Sequence, residues 1–363
     1  MPEPGVLEAL RGYGGPELRF MEVCGTHTAA VFRHGIRSMI SPSLRLISGP
    51  GCPVCVTPAA YIDRAVELAL TPGVTLATFG DMIKVPGSRV SLDEAKGEGA
   101  RVMLMYAPGE VLAQARAHPE RQYVVAAVGF ETTAPVYALT LEQIRREGLR
   151  NVRLLTALRR VIPVLRYVCD TDGGIHGFLA PGHVSTVIGA DAFRPLARRY
   201  GRPFVVAGFG GEDILRALYA LLRLARDGRA EVLNAYPAAV RPEGNPAARG
   251  CVEKYFASGA AAWRGMGEIP DSGYYLREEY REYDAGGPWW AGAGDFQAED
   301  SEPAGCKCGE VILGRITPPE CPLFRGACTP LRARGPCMVS AEGTCGIWYR
   351  YAAPRTAAGG GAG

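Results

Sequence analysis

No stretch of the 363-residue chain approaches the roughly 20 consecutive apolar residues that a membrane-spanning helix requires. Met1 to Gly15 also lacks the basic segment followed by an apolar run that marks a secretory leader. Together these absences predict a cytoplasmic protein with no membrane contact. There is no excess of one charge: 40 Lys and Arg face 37 Asp and Glu, a net of +3, and the two signs alternate without forming runs. Such a balance offers no electrostatic footprint for nucleic acid, so small molecules and proteins are the expected partners. Separately, the chain alone is expected to be a monomer. A small secreted disulfide framework is missing too, because the eleven cysteines are odd in number and clustered within a long chain. Thiols that are reduced or ligating are the alternative.

What is present is enough apolar residue, 47%, to fill more than one core, and the length fits about two or three domains. Apolar runs rich in β-branched residues give way to Gly or Pro turns and then to amphipathic helices, the order of parallel α/β units. Leu44 to Ser48 reads as a buried strand, Gly49-Pro50-Gly51 as a turn, and Ala59 to Leu70 as a helix with Ile62, Ala65, Val66 and Ala69 on one face. Further strands are expected at Leu18 to Val23, Val74 to Thr78, Tyr123 to Val128 and Pro203 to Ala207, each ending in a Gly-containing or polar loop. The expected fold is α/β, with two parallel-sheet lobes over about 20–118 and 119–235 and a third, cysteine-rich region beyond Asn234. That last region contains fewer strand-like runs, the aromatic pairs Tyr274-Tyr275 and Trp289-Trp290, and an Ala/Gly tail from Ala357 to Gly363 expected to be disordered.

The cysteines carry the chemistry. Cys24 lies in Glu22-Val23-Cys24-Gly25-Thr26-His27, where an expected strand meets an expected helix. At a helix N-terminus beside an imidazolium, a thiol is acidified and can bind a soft metal or attack an electrophile. A plainer reading makes Cys24 a small buried apolar side chain. Cys52 and Cys55, in Gly49-Pro50-Gly51-Cys52-Pro53-Val54-Cys55, have the spacing of a redox dithiol whose first cysteine is the exposed attacker. They can equally be half of a zinc site, if Cys24 and His27 converge on them.

Six more cysteines crowd into the tail: Cys306, Cys308, Cys321, Cys328, Cys337 and Cys345. Cys308, Cys321, Cys328 and Cys345 lack the paired short knuckles of common zinc ribbons, which favours an iron–sulfur cluster over zinc and leaves Cys306 and Cys337 as possible substitutes. Cys169 and Cys251 have no partner at a telling spacing and read as incidental. Glu131, in Gly129-Phe130-Glu131-Thr132-Thr133, stands where a proton-handling carboxyl is expected, although Thr132 and Thr133 suit simple helix capping. His176 and His183 can donate protons or serve structure.

Taken together, Cys24-Gly25-Thr26-His27, Gly49-Pro50-Gly51-Cys52-Pro53-Val54-Cys55, Gly129-Phe130-Glu131-Thr132-Thr133 and the tail resemble the HypD family of hydrogenase maturation proteins. The tail elements are Cys328-Thr329-Pro330, Gly335-Pro336-Cys337-Met338-Val339-Ser340 and Glu342-Gly343-Thr344-Cys345. The resemblance implies a scaffold that assembles an Fe(CN)2CO unit with a HypC-like chaperone and receives cyanide from a HypE-like donor. It further implies iron held at Cys24; His27, close beyond Gly25, is placed to acidify that thiol or manage a proton. Cys52 and Cys55 would cycle between dithiol and disulfide, and a [4Fe–4S] cluster would sit on Cys308, Cys321, Cys328 and Cys345. The same resemblance implies a third domain combining 1–19 with 236–363. A thioredoxin-like iron–sulfur disulfide reductase using Cys52 and Cys55 is the competing function.

Overall fold

The computed structural model describes residues 5–171, 174–286 and 305–352. The expectations placed on Trp289-Trp290 and on Ala357 to Gly363 lie outside the described residues. The chain forms an α/β fold around two sheets, with a cysteine-rich C-terminal segment lying between them. Among the described residues no helix is long and apolar enough to cross a membrane.

The first sheet contains β1 (Leu18–Glu22), β2 (Leu44–Ser48), β7 (Gly177–Pro181), β8 (Phe204–Ala207) and β9 (Val232–Asn234), in the order β2-β1-β7-β8-β9. All its pairings are parallel. The second contains β3 (Val74–Thr78), β4 (Val102–Leu104), β5 (Gln122–Gly129) and β6 (Val152–Arg159), extended by the hairpin of β10 (Phe256–Trp263) and β11 (Gly267–Leu276). Its order is β10-β11-β6-β5-β3-β4, parallel from β6 to β4 and antiparallel through the hairpin. Helices cover the strands, which explains why β5, buried along all but its first residue, reads as one apolar run. Each fully buried Val in it contributes about 1.5–3 kcal/mol of apolar burial.

The sheets cut across the expected sequence blocks. Residues 20–118 supply β1 and β2 to one sheet and β3 and β4 to the other, and 119–235 are divided in the same way. Helix Val6–Arg11 packs on helix Gly211–Arg226 of the first sheet's layer, with Val6 and Leu10 in the same core as Leu215 and Leu218. The region beyond Asn234, expected to be poor in strands, supplies the hairpin. Its inner positions Phe256, Ala261 and Trp263 are buried while Ser258, Ala260 and Ala262 face outward, a half-buried edge whose small residues carry little apolar signal.

Because the strands are parallel, their carboxyl ends collect on one edge of each sheet, where ligands gather in such folds. In the first sheet β2 and β7 flank β1 on opposite sides. Cys24 follows β1 at this switch in strand order, and the Cys52–Cys55 turn follows β2.

Candidate functional site: a thiol centre between two sheets

Cys24 is the N-cap of helix Gly25–Arg33. The backbone N–H groups of Thr26 and His27 approach its sulfur, and both favour the thiolate. Burial outweighs them: the thiol is pushed up from its ordinary value first by desolvation and then by the charge of Glu342. The expected acidification by His27 is also reversed. The His27 ring is fully buried, its Nε2 donates to the carbonyls of Gly208 (3.0 Å) and Ala207 (3.3 Å), and desolvation lowers its pKa to about 4. His27 is therefore a neutral imidazole near pH 7, stacked on Phe209 with ring centroids 4.6 Å apart, and Phe209 in turn stacks on His183 at 4.0 Å. The other weighed histidine, His176, accepts a hydrogen bond at Nδ1 from the Arg19 backbone (3.0 Å) and so ties β1 to the start of β7.

The dithiol turn lies directly on Cys24. A Cβ at Gly51 would fall 1.7 Å from the Val23 carbonyl oxygen and 2.8 Å from the Cys24 Cα, so only glycine allows the two loops to meet. Cys52 caps the short helix Pro53–Val56, and its sulfur accepts from the Cys55 N–H at 3.1 Å. Cys52 and Cys55 form a disulfide, with their Cα atoms 5.2 Å apart. Both are buried, at 5% and 1% exposure, where the sequence suggested an exposed first cysteine. The cause is the tail: helix Pro336–Val339 packs on Pro53–Val56, and Cys337 and Met338 share one core with Cys52 and Cys55.

Two acids fasten the tail across both sheets. Asp81, after β3, accepts at Oδ2 from the Ser340 hydroxyl (3.2 Å) and the Ala341 N–H (3.1 Å). Glu342 accepts at Oε1 from the Thr26 hydroxyl (2.6 Å). Arg264 fastens the dithiol turn from the other side. This guanidinium is 2% exposed and donates from Nε to Thr57 O and from Nη2 to Pro86 O, each at 2.9 Å. Sequence reading gave no role to Arg264, Asp81 or Glu342. Nothing in their local spacing announces partners 178 to 316 residues away.

Cys306, Cys308, Cys321, Cys328 and Cys345 line one recess with Val311, Leu323, Phe324 and Met338. Cys337 lies behind it, hydrogen-bonded to Cys308 and Cys345. Hydrogen bonds from Cys306 and Cys337 hold Cys308 well below the ordinary thiol value, while Cys337, their donor partner, is held well above it. Burial pushes Cys328 up. Gly335 forms part of the cradle, since a Cβ there would sit 2.4 Å from the Cys308 sulfur and 3.1 Å from that of Cys306. No three His, Cys, Asp or Glu side chains among the described residues are grouped as ligands of a single ion. Soft donors ringing an apolar recess match in kind the thiolate set that holds an iron–sulfur cluster. Cys169 is a core residue of helix Val161–Thr171, and Cys251 is half-buried on helix Pro246–Tyr255.

Glu131 follows β5 and is 4% exposed. Its Oε1 accepts from the Val161 N–H at the start of helix Val161–Thr171 (2.8 Å), and its Oε2 is buried without a hydrogen-bond partner. Desolvation raises this carboxyl to about 7. The preceding residue, Phe130, packs in the same core as Cys52 and Cys55.

A parallel α/β scaffold that places one buried thiol and a Cys-x-x-Cys disulfide turn at the ends of its strands, with a cysteine-lined recess in the adjoining tail, defines a thiol-rich class of α/β protein. The sequence comparisons narrow this class. Residues 6–352 match the family described as HypD, hydrogenase formation hypA family, and the chain belongs to that family. It is 42% identical over 349 residues to the hydrogenase maturation factor HypD of Azotobacter vinelandii, covering 94% of this chain and 91% of that protein. To the HypD factor of Escherichia coli it is 41% identical over 336 residues, covering 92% and 89%. An archaeal relative, a putative hydrogenase expression/formation protein of Methanocaldococcus jannaschii, is 37% identical over 335 residues, with 92% of each chain covered.

Proposed function

We propose that this protein acts in hydrogenase maturation as the scaffold and redox factor on which an Fe(CN)2CO unit is assembled, with a HypC-like chaperone and a HypE-like cyanide donor as partners. The observation that carries this reading is the contact of Gly51 with Val23 and Cys24, which sets a candidate iron-binding thiol against a disulfide turn. The iron is the substrate, held between Cys24 and a thiolate of the chaperone. A buried Cys24 whose pKa is raised stays a thiol until a cation offsets its desolvation, so iron uptake and proton loss are coupled.

The Cys52–Cys55 pair supplies reducing equivalents. Closing the dithiol to a disulfide releases two electrons and two protons; the electron pair cleaves the bond between cyanide and its carrier, cyanide passes to the iron substrate without change in the iron's oxidation state, and the carrier leaves with one of the protons. Glu131 is the nearby group suited to take the other, having a free carboxylate oxygen and a pKa of about 7. Burial of both sulfurs speaks against open exchange with other proteins' disulfides, the chemistry of a general reductase. Cys308, Cys321, Cys328 and Cys345 are the proposed ligands of a [4Fe–4S] cluster, which when bound supplies one-electron transfer.

Infrared spectroscopy of the anaerobic complex with a HypC-type chaperone tests the reading. Metal-bound cyanide and carbonyl stretches are expected for the unaltered chain and absent for Cys24→Ala, whose Cys52/Cys55 thiol–disulfide turnover persists. Unchanged stretches in Cys24→Ala would refute the assignment.

A further inference from the structure

Beyond the dithiol turn, on the second sheet, lies a cavity that the maturation chemistry leaves unused. Its volume is about 280 Å³, close to the lower end of the roughly 300–1,000 Å³ common for small-ligand sites. It is lined by Leu155 of β6, by Tyr61 of helix Ala59–Leu70, and by Ala260 and Tyr275 of the hairpin. Arg159, the last residue of β6, also lines it.

Arg159 is 7% exposed. Its Nη2 donates to the Ala262 carbonyl at 2.9 Å and its Nη1 reaches the Leu158 carbonyl at 3.5 Å. Its Nε is buried and donates to nothing. The side chains that bear on its charge are Tyr275 and Tyr61, with the Trp263 ring 5.9 Å from its Cζ, and no carboxylate pairs with it among the described residues. A guanidinium keeps its charge in a protein interior, and a buried one with an open donor is stabilised by an oxyanion that takes that donor. The rest of the lining narrows the anion. Ala60, Leu155 and the two tyrosines offer apolar surface, whereas Glu268 and Asp284 also line the cavity and repel anions in proportion to their charge, so among the anions that Arg159 can receive a singly charged one is opposed least.

We propose that this cavity is a binding site for a small organic monocarboxylate, its carboxylate received by Arg159 and its apolar body held between Tyr61 and Tyr275. The site is independent of the iron assignment. Calorimetric titration of the full chain with benzoate, and separately with inorganic phosphate, tests it. Benzoate is expected to bind saturably at one site, phosphate at least tenfold more weakly, and Arg159→Gln is expected to lose at least tenfold in benzoate affinity. Ala260→Phe, at an outward-facing strand position, fills the cavity while leaving Arg159 in place. It is expected to abolish benzoate binding with an unchanged melting temperature. No benzoate binding to the unaltered chain, equal affinity in a folded Ala260→Phe, or phosphate binding as tight as benzoate would overturn the proposal.

Discussion

The Thr26 hydroxyl donates a hydrogen bond of 2.6 Å to Oε1 of Glu342 across 316 residues of sequence. It joins the helix that begins at Cys24 to the segment that carries Cys337 and Cys345. A hydrogen bond to a charged acceptor is worth about 1.5–3 kcal/mol net. Thr26→Val is therefore expected to lower stability by about that amount in urea unfolding, whereas Thr26→Ser, which keeps the hydroxyl, is expected to lose less than half as much.

Gly51 allows no such graded change. An added methyl would lie 1.7 Å from the Val23 carbonyl oxygen, and the obstacle is backbone, which cannot rotate away. Gly51→Ala must separate the Cys24 loop from the dithiol turn, at a cost of about 1–3 kcal/mol or more for overpacking. A reduced melting temperature, with faster alkylation of Cys24 by iodoacetamide, is the expected result. Unchanged alkylation would show that the two loops do not depend on their contact.

Glu131 makes stability depend on pH. Its carboxyl is raised in the folded protein from 4.5 to about 7, so folding favours the protonated form. The benefit is fully present below pH 4.5 and is lost as pH rises through about 7. At about 1.36 kcal/mol per unit, the shift corresponds to about 3 kcal/mol over that window. Glu131→Gln keeps an acceptor for the Val161 N–H and cannot ionise. The stability of the unaltered chain minus that of Glu131→Gln, from urea unfolding between pH 5 and pH 8, is expected to fall by up to that amount as pH rises. A difference that does not vary with pH would mean that the carboxyl is solvated.

Which features were legible in the sequence follows from how far apart their causes lie. Leu44–Ser48, Val74–Thr78 and helix Ala59–Leu70 were readable to the residue, because the edge strand Leu44–Ser48 buries every second side chain while Arg45 is exposed, Val74–Thr78 is buried at all but one position, and the helix has one apolar face. The hairpin was not, because Phe256–Trp263 consists largely of Ala, Ser and Gly, and its place in the sheet comes from the pairing of Gly273 with Arg159. Motifs located the thiols at strand ends, but not their electrostatics. Cys24 was expected to be acidified by its helix and by His27. Burial, with the charge of Glu342 from a tail more than 300 residues away, raises its pKa, and burial against Ala207, Gly208 and Phe209 keeps His27 neutral.

The cysteine-lined recess sets Cys337 apart from the four proposed ligands. Cys321 and Cys328 face it from the loop after the cage's first helix, Cys308 and Cys345 from two short helices, and Cys337 lies behind them as a hydrogen-bond donor. Loss of any of the four proposed ligands through Cys→Ser leaves one cluster iron without its thiolate. Anaerobically purified Cys308→Ser, Cys321→Ser, Cys328→Ser and Cys345→Ser proteins are expected to lose most of their iron and acid-labile sulfide. Cys337→Ala, which removes a donor but no proposed ligand, is expected to retain both and to shift the reduction potential, because hydrogen bonds to cluster sulfurs tune it. Cys306 faces the same recess, which makes Cys306→Ala the sharpest comparison: retained iron and sulfide would support the four-ligand set, and their loss would move Cys306 into it.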